Sequence, residues 1–165
     1  AASAIASGHY ALALGKKRLW GATFEAWDGR VPEPSDAARE QNMAALETLD
    51  PYWRQSVKAA PLTSRAGVRA TTADRLPLIG AVPDEVRARE VFDGVRHGKT
   101  VEADAPLIDG LYLAGGYGSR GFTWAPWAGE ILAGQLLGEP APASGPELEA
   151  VSPMRLILRA LKRGG

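Results

Sequence analysis

The chain has 165 residues, enough for one good core or two small half-domains. A hydrophobic content of 45% with 23% charged residues suits a soluble globular protein and argues against global disorder. Basic and acidic residues balance at 19 each, so no whole-molecule field steers the chain to nucleic acid, and the lack of cysteine excludes disulfides, thiol catalysis and cysteine-type zinc sites.

No apolar run reaches transmembrane length. The chain opens Ala1-Ala2-Ser3-Ala4 with neither an initiator methionine nor the basic start of a signal peptide, so a fragment of a longer protein is expected. His9 to Leu14 and Arg18 to Trp27 read as two strands around Gly15-Lys16-Lys17, with Trp20 and Phe24 on one face of the second. His9 lacks an obvious carboxylate to orient it and reads as structural. After a proline-containing loop, Ser35 or Asp36 caps a helix to about Leu49, with Met43, Leu46 and Leu49 as its apolar stripe. Asp50-Pro51 then starts a short second helix, Tyr52 to Lys58, with Pro51 at its first position.

Leu62 to Ala70 is expected to be a strand that leaves Arg69 near its end, before a polar turn. A strand arginine is usually a surface charge, but one entering an apolar site is the natural bidentate ligand for a substrate carboxylate. Pro83 to Ala105 is mixed in charge and reads as a surface excursion, with His97 solvated. The apolar run Leu111 to Ala114 follows, then Gly115, Gly116, Gly118 and Gly121, then a helical pattern from about Trp124 to Leu137 that stops at Gly138. Strand, glycine turn and helix make an arrangement that cradles anions, because glycines admit a ligand to the backbone and a helix start presents free N–H groups.

The spacing Gly116-x-Gly118-x-x-Gly121 also spells the dinucleotide fingerprint. Its context is wrong for a Rossmann unit, since the helix runs into Glu139-Pro-Ala-Pro-Ala-Ser-Gly-Pro146, which cannot form a second parallel strand and reads as a semi-rigid connector. The tail forms a helix from Met154 to Arg163, with Ser152 as cap and Pro153 first. Leu and Ile alternate there with Arg155, Arg159, Lys162 and Arg163, and no acid occurs from Val151 onward. Two uses fit it: an amphipathic helix docked on the core, or a contact to RNA phosphates.

Two segments together carry a resemblance. Gly67-Val-Arg69 through Asp74-Arg-Leu-Pro77 to Gly80 and Asp84, and Gly118-Ser-Arg-Gly121 through Ala125-Pro126, resemble the C-terminal part of FAD-dependent amine oxidoreductases. These are the D-amino-acid oxidase, glycine oxidase and sarcosine oxidase group, and in particular the oxidoreductase domain of the bifunctional enzymes that modify the wobble uridine of tRNA. Glu130 to Ala133 and Gly138 to Pro140 extend the match, whereas the first sixty residues match loosely. Trp124 and Trp127 stand where relatives usually carry small residues or Leu, and would cover a wider apolar face or wall the site.

The resemblance implies an α+β fold: a mixed or antiparallel substrate-domain sheet plus the C-terminal strand–glycine turn–helix of an FAD-binding domain, an incomplete D-amino-acid oxidase-like fold. Residues 1–70 would belong to the substrate domain, 71–140 to the FAD domain, and 141–165 to a Pro/Ala linker and basic helix. Because partner strands are missing, an exposed sheet edge is expected, able to pair with another copy.

The implied reaction is oxidative cleavage of a C–N bond, converting carboxymethylaminomethyl-uridine to aminomethyl-uridine. The alternatives are a glycine- or sarcosine-type amino acid oxidase or dehydrogenase, and a non-catalytic binding module. FAD is the implied cofactor and no metal is implied. Gly115, Gly116, Tyr117, Gly118, Ser119, Gly121 and Phe122 would bind FAD, with the N–H groups of Gly116 to Gly121 facing the flavin. Arg69 would hold the substrate carboxylate, and Arg120 would touch substrate or flavin. Arg155, Arg159, Lys162 and Arg163 would meet tRNA. The N-terminal segment that holds the FAD pyrophosphate lies outside this chain, as would a methyltransferase domain, so the fragment alone should be inactive. The location implied is cytoplasmic.

Overall fold

The computed structural model describes residues 4–57 and 61–164, and the chain divides into two compact units, Ala1–Val68 and Arg69–Gly165. The first is built on an antiparallel meander of β1 (Ala4–Ser7), β2 (His9–Leu14) and β3 (Lys17–Gly21). The β2–β3 hairpin closes with Leu14 opposite Lys17, and Gly15 takes φ +61°, the left-handed conformation that two-residue hairpin turns favour.

The second strand is shorter than its sequence pattern suggests. β3 ends at Gly21 opposite Tyr10, because β2 begins at His9 and offers nothing beyond that point to pair with. Phe24 therefore falls outside the strand and is 69% exposed, while Trp20 packs against the core, so the two share no face.

Helix α1 (Asp36–Leu49) starts where Ser35 accepts from the Ala38 N–H, and α2 (Pro51–Ser56) where Asp50 accepts from the Trp53 N–H. Each cap satisfies a helix donor that has no carbonyl partner within the helix. The α1 stripe is core: Leu46 is fully buried with Ala11 and Val57, and Met43, Leu49, Trp20 and Trp53 close around them. Lys58, the expected end of the second helix, lies outside the described residues. Residues 61–70 form no strand. Strand propensity depends on a partner, and the pairing nearby is a single bridge from Thr71 to Tyr117.

The second unit pairs β4 (Leu78–Pro83) antiparallel with β5 (Leu107–Gly115), in register from Leu78 opposite Gly115 to Ala81 opposite Tyr112, after which the register shifts and Pro83 meets Leu107. Between the two strands the chain is not a surface excursion. Asp84 accepts from the Arg87 N–H and starts α3 (Glu85–Val91), which a short 3-10 helix (Asp93–His97) continues. Ala88 and Phe92 lie four residues apart, on one helical face, and are buried against the C-terminal helix. His97 is exposed, as expected.

Beyond β5 come α4 (Gly121–Leu137), α5 (Gly145–Val151) and α6 (Met154–Lys162). Gly138 at φ +70° ends α4, and the Glu139 N–H returns to the Gly134 carbonyl at 2.9 Å. The Pro/Ala connector is shorter than expected, because Ser144 and Glu147 form a reciprocal capping box that starts α5 inside it. Two clusters hold the unit together: Ile79, Ala128, Ile131 and Val151 join β4, α4 and α5, and Ala88, Phe92, Met154, Ile157 and Leu161 seat α6 on α3. The architecture is α+β with small antiparallel sheets. Among the described residues no helix is long and apolar enough to cross a membrane.

Candidate functional site

β5 delivers the chain into the glycine turn, and each glycine does something different there. Gly116 (φ +70°) and Gly118 (φ +55°) are left-handed, a conformation that costs an L side chain about 1–2 kcal/mol. A Cβ on Gly116 would also lie 3.5 Å from Thr72 Cγ2, and one on Gly118 3.4 Å from Thr71 Oγ1. Both are therefore needed by the fold itself. Gly115 and Gly121 are not left-handed, and a Cβ on Gly121 would meet nothing nearer than Tyr117 Cβ at 4.0 Å. Neither backbone conformation nor packing inside the chain demands glycine at position 121.

The amides of the turn divide the same way. The Gly118 N–H donates to the Ala70 carbonyl at 2.9 Å and the Arg120 N–H to the Tyr117 carbonyl at 3.0 Å, so these two are committed within the protein. Among the described residues no backbone acceptor falls to the N–H groups of Ser119, Gly121 and Phe122, the last two being the first residues of α4. Phe122 is fully exposed beside them. Tyr117 is half-buried against the Ile79–Ile131 cluster, and that burial pushes its phenol above the ordinary value.

The residues that follow Arg69 meet the turn, remote in sequence, through the Gly118 N–H to the Ala70 carbonyl and the Thr71–Tyr117 bridge. Arg69 immediately precedes Ala70, whose carbonyl accepts from Gly118, and its side chain is exposed. Arg120 is the residue before α4, also exposed. Trp127 packs on the Ile79–Ile131 cluster and donates from Nε1 to the Pro142 carbonyl at 3.2 Å, with Trp124 tilted against it at 5.6 Å. The pair covers apolar surface and fastens the connector. An open hollow lined by Arg39, Glu40, Met43, Glu47, Arg54 and Leu62 lies along α1 and contains neither candidate arginine.

The tail requires a correction. Arg155 is buried, not presented to solvent: Nε and Nη2 reach Asp74 Oδ2 and Oδ1 at 2.9 and 3.1 Å, and Nη2 also reaches the Leu76 carbonyl at 2.9 Å. Nη1 takes the Val151 and Ser152 carbonyls at 3.1 and 3.2 Å, so all five guanidinium donors find acceptors. Arg159 also pairs with Asp74. Arg155, hydrogen-bonded to Asp74, holds that carboxyl far below the usual range, outweighing partial burial, with Thr72 and the Leu76 N–H adding to the effect. Asp74 escaped attention as a site residue because its partner stands 81 positions away. Of the four tail cations, Lys162 and Arg163 remain exposed without a salt bridge among the described residues.

Residues 3–135 match the family model described as FAD dependent oxidoreductase. The chain is 40% identical over 147 residues to the tRNA 5-methylaminomethyl-2-thiouridine biosynthesis bifunctional protein MnmC of Cupriavidus necator, covering 87% of this chain and 22% of that one. The proteins of the same name from Aromatoleum aromaticum and Burkholderia mallei are each 38% identical, over 92% and 88% of this chain and 22% of theirs. The chain thus spans about a fifth of the length of these relatives. It belongs to the FAD-dependent oxidoreductase family.

FAD is the cofactor of that family, and the turn fits part of it. Three uncommitted N–H groups, a glycine with open space at its Cβ and a helix start suit the electron-rich edge of a ring that gains negative charge. Among the described residues no other strand runs through glycines into a helix. No cluster of metal-ligating side chains occurs among the described residues.

Proposed function

We propose that this chain forms the C-terminal part of an FAD-dependent enzyme that oxidatively cleaves a C–N bond, converting carboxymethylaminomethyl-uridine to aminomethyl-uridine at the tRNA wobble position. The observation that carries the reading is the front of the glycine turn, where Ser119, Gly121 and Phe122 leave their amides uncommitted beside a Cβ-free space. FAD, when bound, would supply the acceptor for a hydride from the carbon next to the substrate nitrogen, and hydrolysis of the oxidised C–N bond would release the aminomethyl product and an aldehyde carrying the carboxylate.

The chain's own groups bind and orient. The amides of Ser119, Gly121 and Phe122 are the donors that favour negative charge at the cofactor's edge. Arg69 supplies a planar fork for the substrate carboxylate, and its attachment next to Ala70 ties that fork to the turn. Arg120 stands at the same helix start and adds a cation for substrate or flavin. Lys162 and Arg163 are the tail cations open to an RNA phosphate. A methyltransferase partner and a cytoplasmic location belong to the same reading, whose tRNA part the names of the relatives support.

One observation favours a second reading, a free amino acid oxidase or dehydrogenase of the same fold. With Arg155 and Arg159 engaged by Asp74, the tail keeps too little free charge for a strong RNA contact by itself.

Two measurements on the full-length protein separate the readings. Arg69→Ala should raise KM for the carboxylate-bearing substrate at least about tenfold, the loss of one charge-assisted hydrogen-bonded pair, with Arg69→Lys rescuing in part. An unchanged KM removes Arg69 from the site. Affinity for tRNA that falls steeply with salt and drops in a Lys162/Arg163 double alanine variant favours the wobble-uridine substrate; salt-independent behaviour favours a free amino acid.

A further inference from the structure

The segment that backs the glycine turn is itself pinned from behind, and the pin is on the C-terminal helix. Thr72 Cγ2 and Thr71 Oγ1 line the space beneath Gly116 and Gly118, and Ala70 accepts from Gly118. A few residues on, the chain makes a tight turn in which the Arg75 N–H returns to the Thr72 carbonyl at 3.0 Å and Arg75 adopts φ +60°. A non-glycine residue held there persists where its surroundings over-determine it. They do so here. The Thr72 hydroxyl lies 2.7 Å from Asp74 Oδ1 and 2.6 Å from the Leu76 carbonyl, and the Leu76 N–H reaches Asp74 Oδ1 at 3.1 Å. Arg155 then grips Asp74 and the Leu76 carbonyl together. Arg155 is held in turn by Val151 and Ser152, while Met154, Ile157 and Leu161 seat α6 on Ala88 and Phe92.

We propose that Arg155 is a positioning residue for the cofactor-facing glycine turn: through Asp74 and Thr72 it fixes the 70–78 segment against which Gly116 and Gly118 are registered. This rests on the flavin reading above. It gives the basic tail helix a task inside the redox site, distinct from contact with RNA. A constellation that must be held to about 0.5 Å needs such support behind it.

The test is amide exchange at Gly118 in the flavin-free full-length protein, for Arg155→Met, Arg155→Lys, Thr72→Val and Ile157→Val. The last loosens α6 away from the clamp. Arg155→Met and Thr72→Val should speed Gly118 exchange by about tenfold or more, with Arg155→Lys intermediate because the charge returns without the fork. Ile157→Val should speed exchange within α6 and affect Gly118 far less than Arg155→Met does, because the Arg155 contacts to Asp74 remain. With flavin added, FAD affinity should fall in the same order. If Arg155→Met does not fold, Thr72→Val and Arg155→Lys decide. Unchanged Gly118 exchange in those variants, or equal acceleration by Ile157→Val, overturns the clamp. A wild-type protein that takes up no flavin overturns instead the functional reading, and with it the ligand named here.

Discussion

The back and the front of the glycine turn are built on opposite terms. Behind it, every donor of Arg155 has an acceptor, Asp74 is shared by two arginines, and the supporting helix buries Met154, Ile157 and Leu161. In front, three amides lack backbone acceptors among the described residues and Phe122 is wholly exposed. The neighbouring β5 shows Leu107, Ile108, Leu111 and Leu113 to solvent at 36–49%. The polar groups behind the turn are satisfied within the chain, and the three amides in front are left open. A strand with that much apolar surface, paired on one side by β4, is the exposed edge the sequence led us to expect.

The contrast can be broken most severely from behind. Asp74→Ala leaves the Arg155 guanidinium buried without its carboxylate, and stability to urea should fall by about 3–5 kcal/mol. The acid limb of stability should report the same residue. The folded-state pKa of Asp74 is depressed, so its contribution is complete above the unfolded value of about 4 and disappears as pH falls below it. The stability gap between wild type and Asp74→Asn should therefore be widest near neutral pH and narrow steadily as the medium is acidified below about pH 4. A gap independent of pH would mean the carboxylate is not what Arg155 requires.

The turn itself should split by glycine. Gly118→Ala forces a side chain into the left-handed region and should cost about 1–2 kcal/mol. Gly121→Ala, at the first position of α4 and with space for a methyl, should leave stability the same or slightly higher while weakening FAD binding in the intact enzyme. Equal stability losses at both would erase the distinction between front and back. The smallest effect belongs to Phe122→Ser: thermal stability should change by less than about 0.5 kcal/mol, because the ring touches solvent, and any change should appear in cofactor or substrate binding.

Local chemistry was legible from the sequence. Ser35 and Asp50 cap their helices, Gly15 turns its hairpin and Gly138 stops α4, because each signal acts within a few residues of itself. One legible signal was passed over: Asp84 before a helix carrying Ala88 and Phe92 on one face, with Glu85 and Arg89 paired at 2.9 Å, looked like loop because its charges are mixed. The strands expected at residues 62–70 and 22–27 failed for want of partners, which a strand pattern does not carry.

The residues themselves therefore determined the caps of α1 and α2, the hairpin turn at Gly15, the stop of α4 at Gly138 and the family pattern, all of which depend on short-range geometry. Which glycines face inward, which amides stay available and which cations are spent could be settled only by the tertiary structure. Asp74 and Arg155 lie 81 residues apart, and a partly buried ion pair over that separation exists only once folding seats α6 beside the segment that carries Asp74.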